Sequence, residues 1–354
     1  MKLYSLLLIV VILLTGCQDD FVLNTYVDNF FHVKKENYYL PVRVRGNTAS
    51  KKILLYIQGG PGNNTLDFAE VDYPKWRGSL EKDYAIAYYD QLGTGNRIGK
   101  FDYEDITLDN YLQDIHTIAT VLNSKYNAEV FLFGHSFGGY LAYAYAIKYK
   151  NEGIPAGYIS LHGPATTDSD DIRWVFRWDY LYNLSEKYIA ENVYPEFWTE
   201  VANYLNDHPV LETVDEKRQW NNYVIDAVEK GINVTEDDLP APSLGNYLNV
   251  TFTSSYNVLT SNINLKVLDK ISTKLINEAK TFSLNKRLSE IDQPILLITG
   301  EYDDICPPEE MDFTLESITS SNKRLVIIKD AAHDSYLQNP DEFNEAIKNF
   351  VNSF

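Results

Sequence analysis

Six short apolar runs, each stopped by Gly, Asp or a polar turn, constrain this chain more than any other feature: KILLYIQGG, YAIAYYDQ, AEVFLFGHS, AGYISLHG, QPILLITGEYD and KRLVIIKDAAH. Between most of them lie stretches long enough for a crossover helix, such as LDNYLQDIHTIATVLNSKYN. A strand that is apolar along its whole length must be covered on both faces. A helix between successive strands makes those strands parallel. The expected fold is therefore α/β, a mostly parallel central sheet flanked by helices. Ahead of it, HVKKENYYLPVRVRG predicts an antiparallel pair turning near Pro41.

One region breaks the alternation. From 166 to 288 there is no strong strand run, but Trp, Tyr, Asp and Glu recur at loosely helical spacing, as in DIRWVFRWDYLYNLSEKYIAEN and YPEFWTEVANYLNDH. Strand-type runs then resume. This pattern predicts a mainly helical cap inserted between late strands, with the core divided into 29–165 and 289–354. At 354 residues the chain is long enough for one large core carrying such an insertion.

The first twenty residues, MKLYSLLLIVVILLTGCQDD, read as an address. A single Lys precedes an apolar run too short to span a bilayer comfortably but suited to the centre of a signal peptide. Leu14-Thr15-Gly16-Cys17 resembles the lipobox of bacterial lipoproteins. That resemblance implies a signal peptide at 1–16, lipid on Cys17, and a tether over 17–28. It also implies an exported protein anchored to a membrane on its periplasmic or cell-surface side. With Cys17 modified, Cys306 is left alone, since the chain has two cysteines, and no intrachain disulfide is expected. The formal charge of −19 excludes nucleic acid as a partner, because phosphate binding needs Lys and Arg patches.

VFLFGHSFGGYLAYAYAIKYK joins an apolar strand to a helix with no loop between them. Such a corner forces its central residue, Ser136, into strained backbone geometry. Gly134 and Gly138 leave room where a side chain would collide with the neighbouring elements. The corner lies at the carboxyl edge of the sheet, where open α/β folds bind ligands. It also lies at a helix N-terminus, which favours developing negative charge. Ser136 is therefore the candidate nucleophile.

With strand before and helix after, this G-x-S-x-G motif resembles the nucleophile elbow of the α/β-hydrolase family, and the resemblance covers nearly all of the chain beyond the tether. The family order is nucleophile, acid, histidine. Of six histidines, His32, His116 and His135 do not follow the serine at a distance; His162 follows a strand, and His208 lies in the insertion. Only His333, in DAAHDSYLQNPDEFNEAIKNFV, comes after a late candidate acid. ITGEYDDICPPE offers Glu301, Asp303 and Asp304; the family pattern Gly-x-x-Asp-x-x-x-Pro, matched at Gly300 and Pro307, points to Asp303. The resemblance implies that Ser136 attacks an acyl carbon, His333 moves the proton, and Asp303 holds the imidazole. Backbone N–H groups of Phe137 and Gly60 would form the oxyanion hole.

YIQGGPGNNT, DQLGTGNR and GEYDDICP together look like the prolyl iminopeptidase group of serine aminopeptidases. Such enzymes remove an N-terminal residue from short peptides, with cap carboxylates holding the free amine. This chain departs from the group's pattern in four places. Gln58 stands for a His, Leu92 for an Arg and Arg97 for a small residue. Trp220-Asn221-Asn222-Tyr223-Val224 places Val224 where the group carries its amine-binding Glu. Glu212, Glu216 and Glu229 are the cap acids that could replace it.

A carboxylesterase or lipase-like enzyme of small esters shares the same Ser machinery, and a lipoprotein that keeps the fold only for binding is the reading from another class. No cofactor or metal is expected: there is no HExxH, no paired Cys and no early G-x-G-x-x-G opening a helix.

Overall fold

The computed structural model describes residues 25–95, 98–99, 102–167, 170–230 and 268–354. Strands β1 (Tyr26–Lys34) and β2 (Tyr38–Asn47) form the expected antiparallel pair. Their turn falls at 35–37, not near Pro41, which lies inside β2 opposite His32. Proline is tolerated there because Pro41 sits between the part of β2 paired with β5 (Ile98–Gly99) and the part paired with β4 (Ala85–Tyr89). Among the described residues, no ladder partner faces it on that side. Residues 26–28, placed in the tether by sequence, are already strand. Asp28 lies opposite Arg45 and forms an ion pair with Arg43 at 2.6 Å.

The apolar runs are the strands β3 (Lys52–Ile57), β4, β6 (Glu129–His135), β7 (Pro155–Leu161), β8 (Ile295–Gly300) and β9 (Lys323–Ile328). These six pair in parallel with one another, β4 pairs antiparallel with β2, and the sheet order is β1-β2-β4-β3-β6-β7-β8-β9, with β5 on β2. The side-chain period of two divides β3 between the faces. Ile53, Leu55 and Ile57 enter one core cluster, whereas Leu54 and Tyr56 enter the other.

The second of these clusters is closed by α1 (Leu66–Val71) and α2 (Leu80–Asp83), and the first by α3 (Leu108–Tyr126) and α4 (Phe137–Lys148). In α4 every residue from Phe137 to Ile147 is buried. A helix that is apolar all round belongs inside, and α4 carries the candidate nucleophile at its start.

Between β7 and β8 stand α5 (Asp171–Ala190), α6 (Pro195–Asp207) and α7 (Val214–Glu229), packed around Trp198, Trp220, Tyr180 and Tyr223. The next helix, α8 (Leu268–Phe282), packs on the sheet core through Ile271, Leu275 and Ala279. After β8 come α9 (Pro308–Ser317), α10 (Ser335–Gln338) and α11 (Pro340–Val351), the last of which covers the same face as α1 and α2. Cys17, Arg97 and the part of the expected cap from 231 to 267 lie outside the described residues. Among the described residues no helix is long and apolar enough to cross a membrane.

Candidate active site

Ser136 joins β6 to α4 with φ 54° and ψ −124°, a left-handed corner that L residues rarely adopt. Its neighbours explain the two flanking glycines. A Cβ on Gly138 would lie 2.0 Å from the Ile57 carbonyl oxygen, and one on Gly134 would lie 2.1 Å from that of Gly138. The corner is pinned by Ser136 N–H donating to Leu161 O at 2.8 Å. Strain of this kind persists only where surrounding structure over-determines it.

The Gly-rich loop after β3 closes on this corner. A Cβ on Gly59 would lie 2.6 Å from Ser136 Cβ and 3.1 Å from Phe137 N. Phe137 is the first residue of α4, so its N–H has no intrahelical acceptor. Gly60, with φ 111°, lines the same pocket as Ser136 and Phe137. The loop is tied down by the motif after β4. Asp90 Oδ1 accepts from Thr65 N at 3.2 Å and Leu66 N at 3.1 Å, and Gln91 Nε2 donates to Gln58 O at 2.8 Å.

His333 follows β9, and its Nδ1 lies 3.0 and 3.1 Å from the two oxygens of Asp303, which follows β8. Of the three acids weighed from sequence, Asp303 holds this position; Glu301 turns instead to Lys187 Nζ at 2.7 Å. Asp303 is fully buried and accepts N–H donors from Ile305 at 3.0 Å and Cys306 at 2.9 Å. Burial pushes its carboxyl up, but the facing His333 and the hydrogen bonds from two histidines outweigh it and hold it well below the carboxylate range. Burial likewise pulls His333 down, and Asp303 more than reverses this, so its pKa is raised. With Nδ1–H given to Asp303, Nε2 of His333 is the atom left to act as base.

Ser136 and His333 occupy the same rim. The ring of His135, the residue before the serine, is centred 5.2 Å from that of His333, and its Nε2 donates to the His333 carbonyl at 3.1 Å. Among the described residues, the side-chain hydrogen bonds of His333 go to Asp303, and none reaches the Ser136 hydroxyl. Catalytic contacts of this kind often tighten only when substrate is bound. His135 itself is no rival base: burial, then the charge of His333, pushes it down to about 3.

The sequence-weighed cap acids are elsewhere. Glu216 is consumed in the capping box of α7, accepting from Thr213 N at 2.8 Å and Glu212 N at 2.9 Å. Glu212 and Glu229 are exposed. Val224, Trp220 and Tyr223 are buried in the aromatic cluster of α5–α7. The described wall of the Ser136 pocket contains no carboxylate; its charged member is Arg173, whose Nη1 lies 3.3 Å from the buried Glu310.

The sequence pattern sets one residue aside as a base and misses its place beside the acid. His162 follows β7 directly, is fully buried, and places Nδ1 2.7 Å from Asp303 Oδ2. The signal was its position, one residue past a strand and on the same edge as Ser136 and Asp303. His162, Asp303 and His333 also bring their ligand atoms within 4.8 Å of one another. Their mutual hydrogen bonds account for that closeness.

A family model described as alpha/beta hydrolase fold matches residues 52–340. The proline iminopeptidase of Saccharolobus solfataricus is 24% identical over 322 residues, covering 89% of this chain and 88% of that protein. Among solved structures, that of VinJ has a TM-score of 0.57 at 16% identity and covers 92% of this chain and 98% of its own. A thermophilic esterase from Thermogutta terrifontis has a TM-score of 0.53 at 18% identity, with 92% and 98% covered.

Proposed function

Because the chain belongs to the α/β-hydrolase family, we propose that it is a serine hydrolase working through an acyl-enzyme on Ser136. The observation that carries this reading is the hydrogen-bonded Asp303–His333 pair on the sheet edge where Ser136 occupies its left-handed corner. Ser136 Oγ adds to the carbonyl carbon of the substrate as its proton passes to His333 Nε2. The resulting oxyanion is received by the N–H groups of Phe137 and Gly60. Collapse breaks the bond to the leaving group, which takes the proton from His333. Water, deprotonated by the same imidazole, then releases the acyl group and restores Ser136.

Two substrate readings have separate support. Relatives named proline iminopeptidase, aligned over most of both chains, support removal of an N-terminal residue from short peptides. The described pocket wall, without a carboxylate and with Val224 buried elsewhere, supports a small ester whose acyl part carries no ammonium group. Among the described residues of that pocket, a free amine would lack the paired charge that its desolvation requires.

A fluorophosphonate probe tests the chemistry: labelling is expected at Ser136 and is lost in Ser136→Ala. Labelling unchanged in that variant, or absent from the wild type, removes the hydrolase reading. Proline and alanine 4-nitroanilides, set against short-chain nitrophenyl esters, separate the two substrates. Ester turnover with neither anilide cleaved rejects the aminopeptidase.

The lipobox-like residues further support lipid attachment at Cys17 and a membrane-anchored location. Intact mass of the protein purified from a bacterial host tests this, and an unmodified mature N-terminus excludes it.

A further inference from the structure

Asp303 is held by two imidazoles, and the catalytic scheme uses only one of them. His162 reaches the carboxylate as well, with Nδ1 2.7 Å from Oδ2 and its ring centred 5.2 Å from that of His333. Its other nitrogen faces the base loop: Nε2 lies 2.7 Å from Ser335 Oγ and 3.4 Å from Ser335 N, two residues beyond His333. The backbone N–H of Ser335 can only donate, so Nε2 must accept. The proton of the neutral ring is therefore on Nδ1, aimed at Asp303. The ring has no exposed surface, and its backbone is held at φ 51°.

We propose that His162 is a positioning residue: as a neutral Nδ1–H imidazole it braces the Asp303 carboxylate and ties it, through Ser335, to the loop that carries His333. The acid and the base sit on separate loops after β8 and β9. A rigid ring spanning from one to the other sets their spacing more firmly than Thr299, whose Oγ1 reaches Asp303 Oδ2 at 3.3 Å. By donating to Oδ2, His162 also draws carboxylate charge away from His333, which limits how far Asp303 raises the base.

This proposal rests on the hydrolase reading, and its test separates the two. The readout is the rate of fluorophosphonate labelling of Ser136 across pH, which needs no knowledge of the substrate. His162→Leu is expected to label roughly tenfold to a hundredfold more slowly, the range for losing a hydrogen bond to a charged group. The acid limb of its pH profile is expected to move upward, because the relieved carboxylate holds the His333 proton more strongly. His162→Asn, whose side-chain N–H₂ can replace the Nδ1–H donor, is expected to recover rate and profile in large part. The other described groups facing the pair (His135, Tyr180, Asp304, Asp334 and the Cys306 thiol) are unchanged in these variants, so the shift reports His162.

Should His162→Leu not fold, Ser335→Ala removes the partner at Nε2 and is expected to slow labelling and move the limb in the same direction. Nitrogen-15 NMR of histidines in the wild-type protein is expected to show one ring held as the neutral Nδ1–H form from pH 5 to 9. Wild-type rate and profile in His162→Leu, equal impairment of Leu and Asn variants with an unmoved limb, or a His162 that titrates in that range each overturn the proposal. A wild-type protein that takes no label at all overturns the hydrolase reading instead.

Discussion

His333 and Asp303 are thirty positions apart, yet Nδ1 of the one lies 3.0 and 3.1 Å from the two carboxylate oxygens of the other. The pair is possible because β8 and β9 are parallel neighbours, so that the loops leaving them emerge side by side at one edge. Around the carboxylate the chain gathers donors from His162, Thr299, Ile305 and Cys306 as well. An ionised acid with this many donors cannot turn or leave, and it fixes which nitrogen of His333 carries the proton.

Asp303→Asn should preserve the fold of the site and reverse the hydrogen-bond polarity at His333 Nδ1. The imidazole would then present the wrong tautomer to Ser136. Turnover of a nitrophenyl ester is expected to fall by about 10,000-fold, measured as kcat with circular dichroism as the control for folding.

The acid limb of kcat/KM should lie above the ordinary histidine value of about 6.5, because His333 must be neutral to act and Asp303 raises its pKa. The same pair shapes stability. Asp303 is depressed in the folded state, so its contribution is present above about pH 3.9 and is lost as pH falls below that. His333 is raised, so its contribution is full below about pH 6.5 and fades as pH rises through the folded value. Thermal melts should therefore show the largest wild-type advantage over Asp303→Asn between these limits.

Gly138→Ala should destabilise the elbow itself. The added methyl would lie 2.0 Å from the Ile57 carbonyl oxygen, and that oxygen belongs to a central strand which cannot retreat. A loss of about 3 kcal/mol is expected, read from the urea midpoint, together with loss of fluorophosphonate labelling.

Far from the site, Arg45 and Glu81 form a fully buried ion pair with Nε–Oε2 at 2.7 Å, and Tyr26 and Tyr88 donate to the same carboxylate. Glu81→Gln leaves the buried guanidinium with the partly exposed Asp72, at 3.1 Å, as its remaining counter-charge. Its expected cost is about 3–5 kcal/mol, with activity per folded molecule unchanged, as measured by denaturant unfolding beside active-site titration.

Local pattern alone settles a good deal of this protein. Continuous apolar runs make the parallel strands, because a strand buried on both faces has no polar side to show. Gly134 and Gly138 announce the corner at Ser136, because the crowding there comes from residues adjacent in the chain or on the next strand. What pattern could not reach depends on elements far apart in sequence. Pro41 looked like a turn but lies within β2, at a position that falls, among the described residues, between the pairings with β4 and with β5. Val224 could be aligned but not placed until α5–α7 closed around it. His162 was one more histidine after a strand until β7 and β8 became neighbours and set it against Asp303. Short-range sterics and burial are written in the order of residues, whereas the bond between two side chains 141 positions apart exists only once the sheet has chosen its strand order.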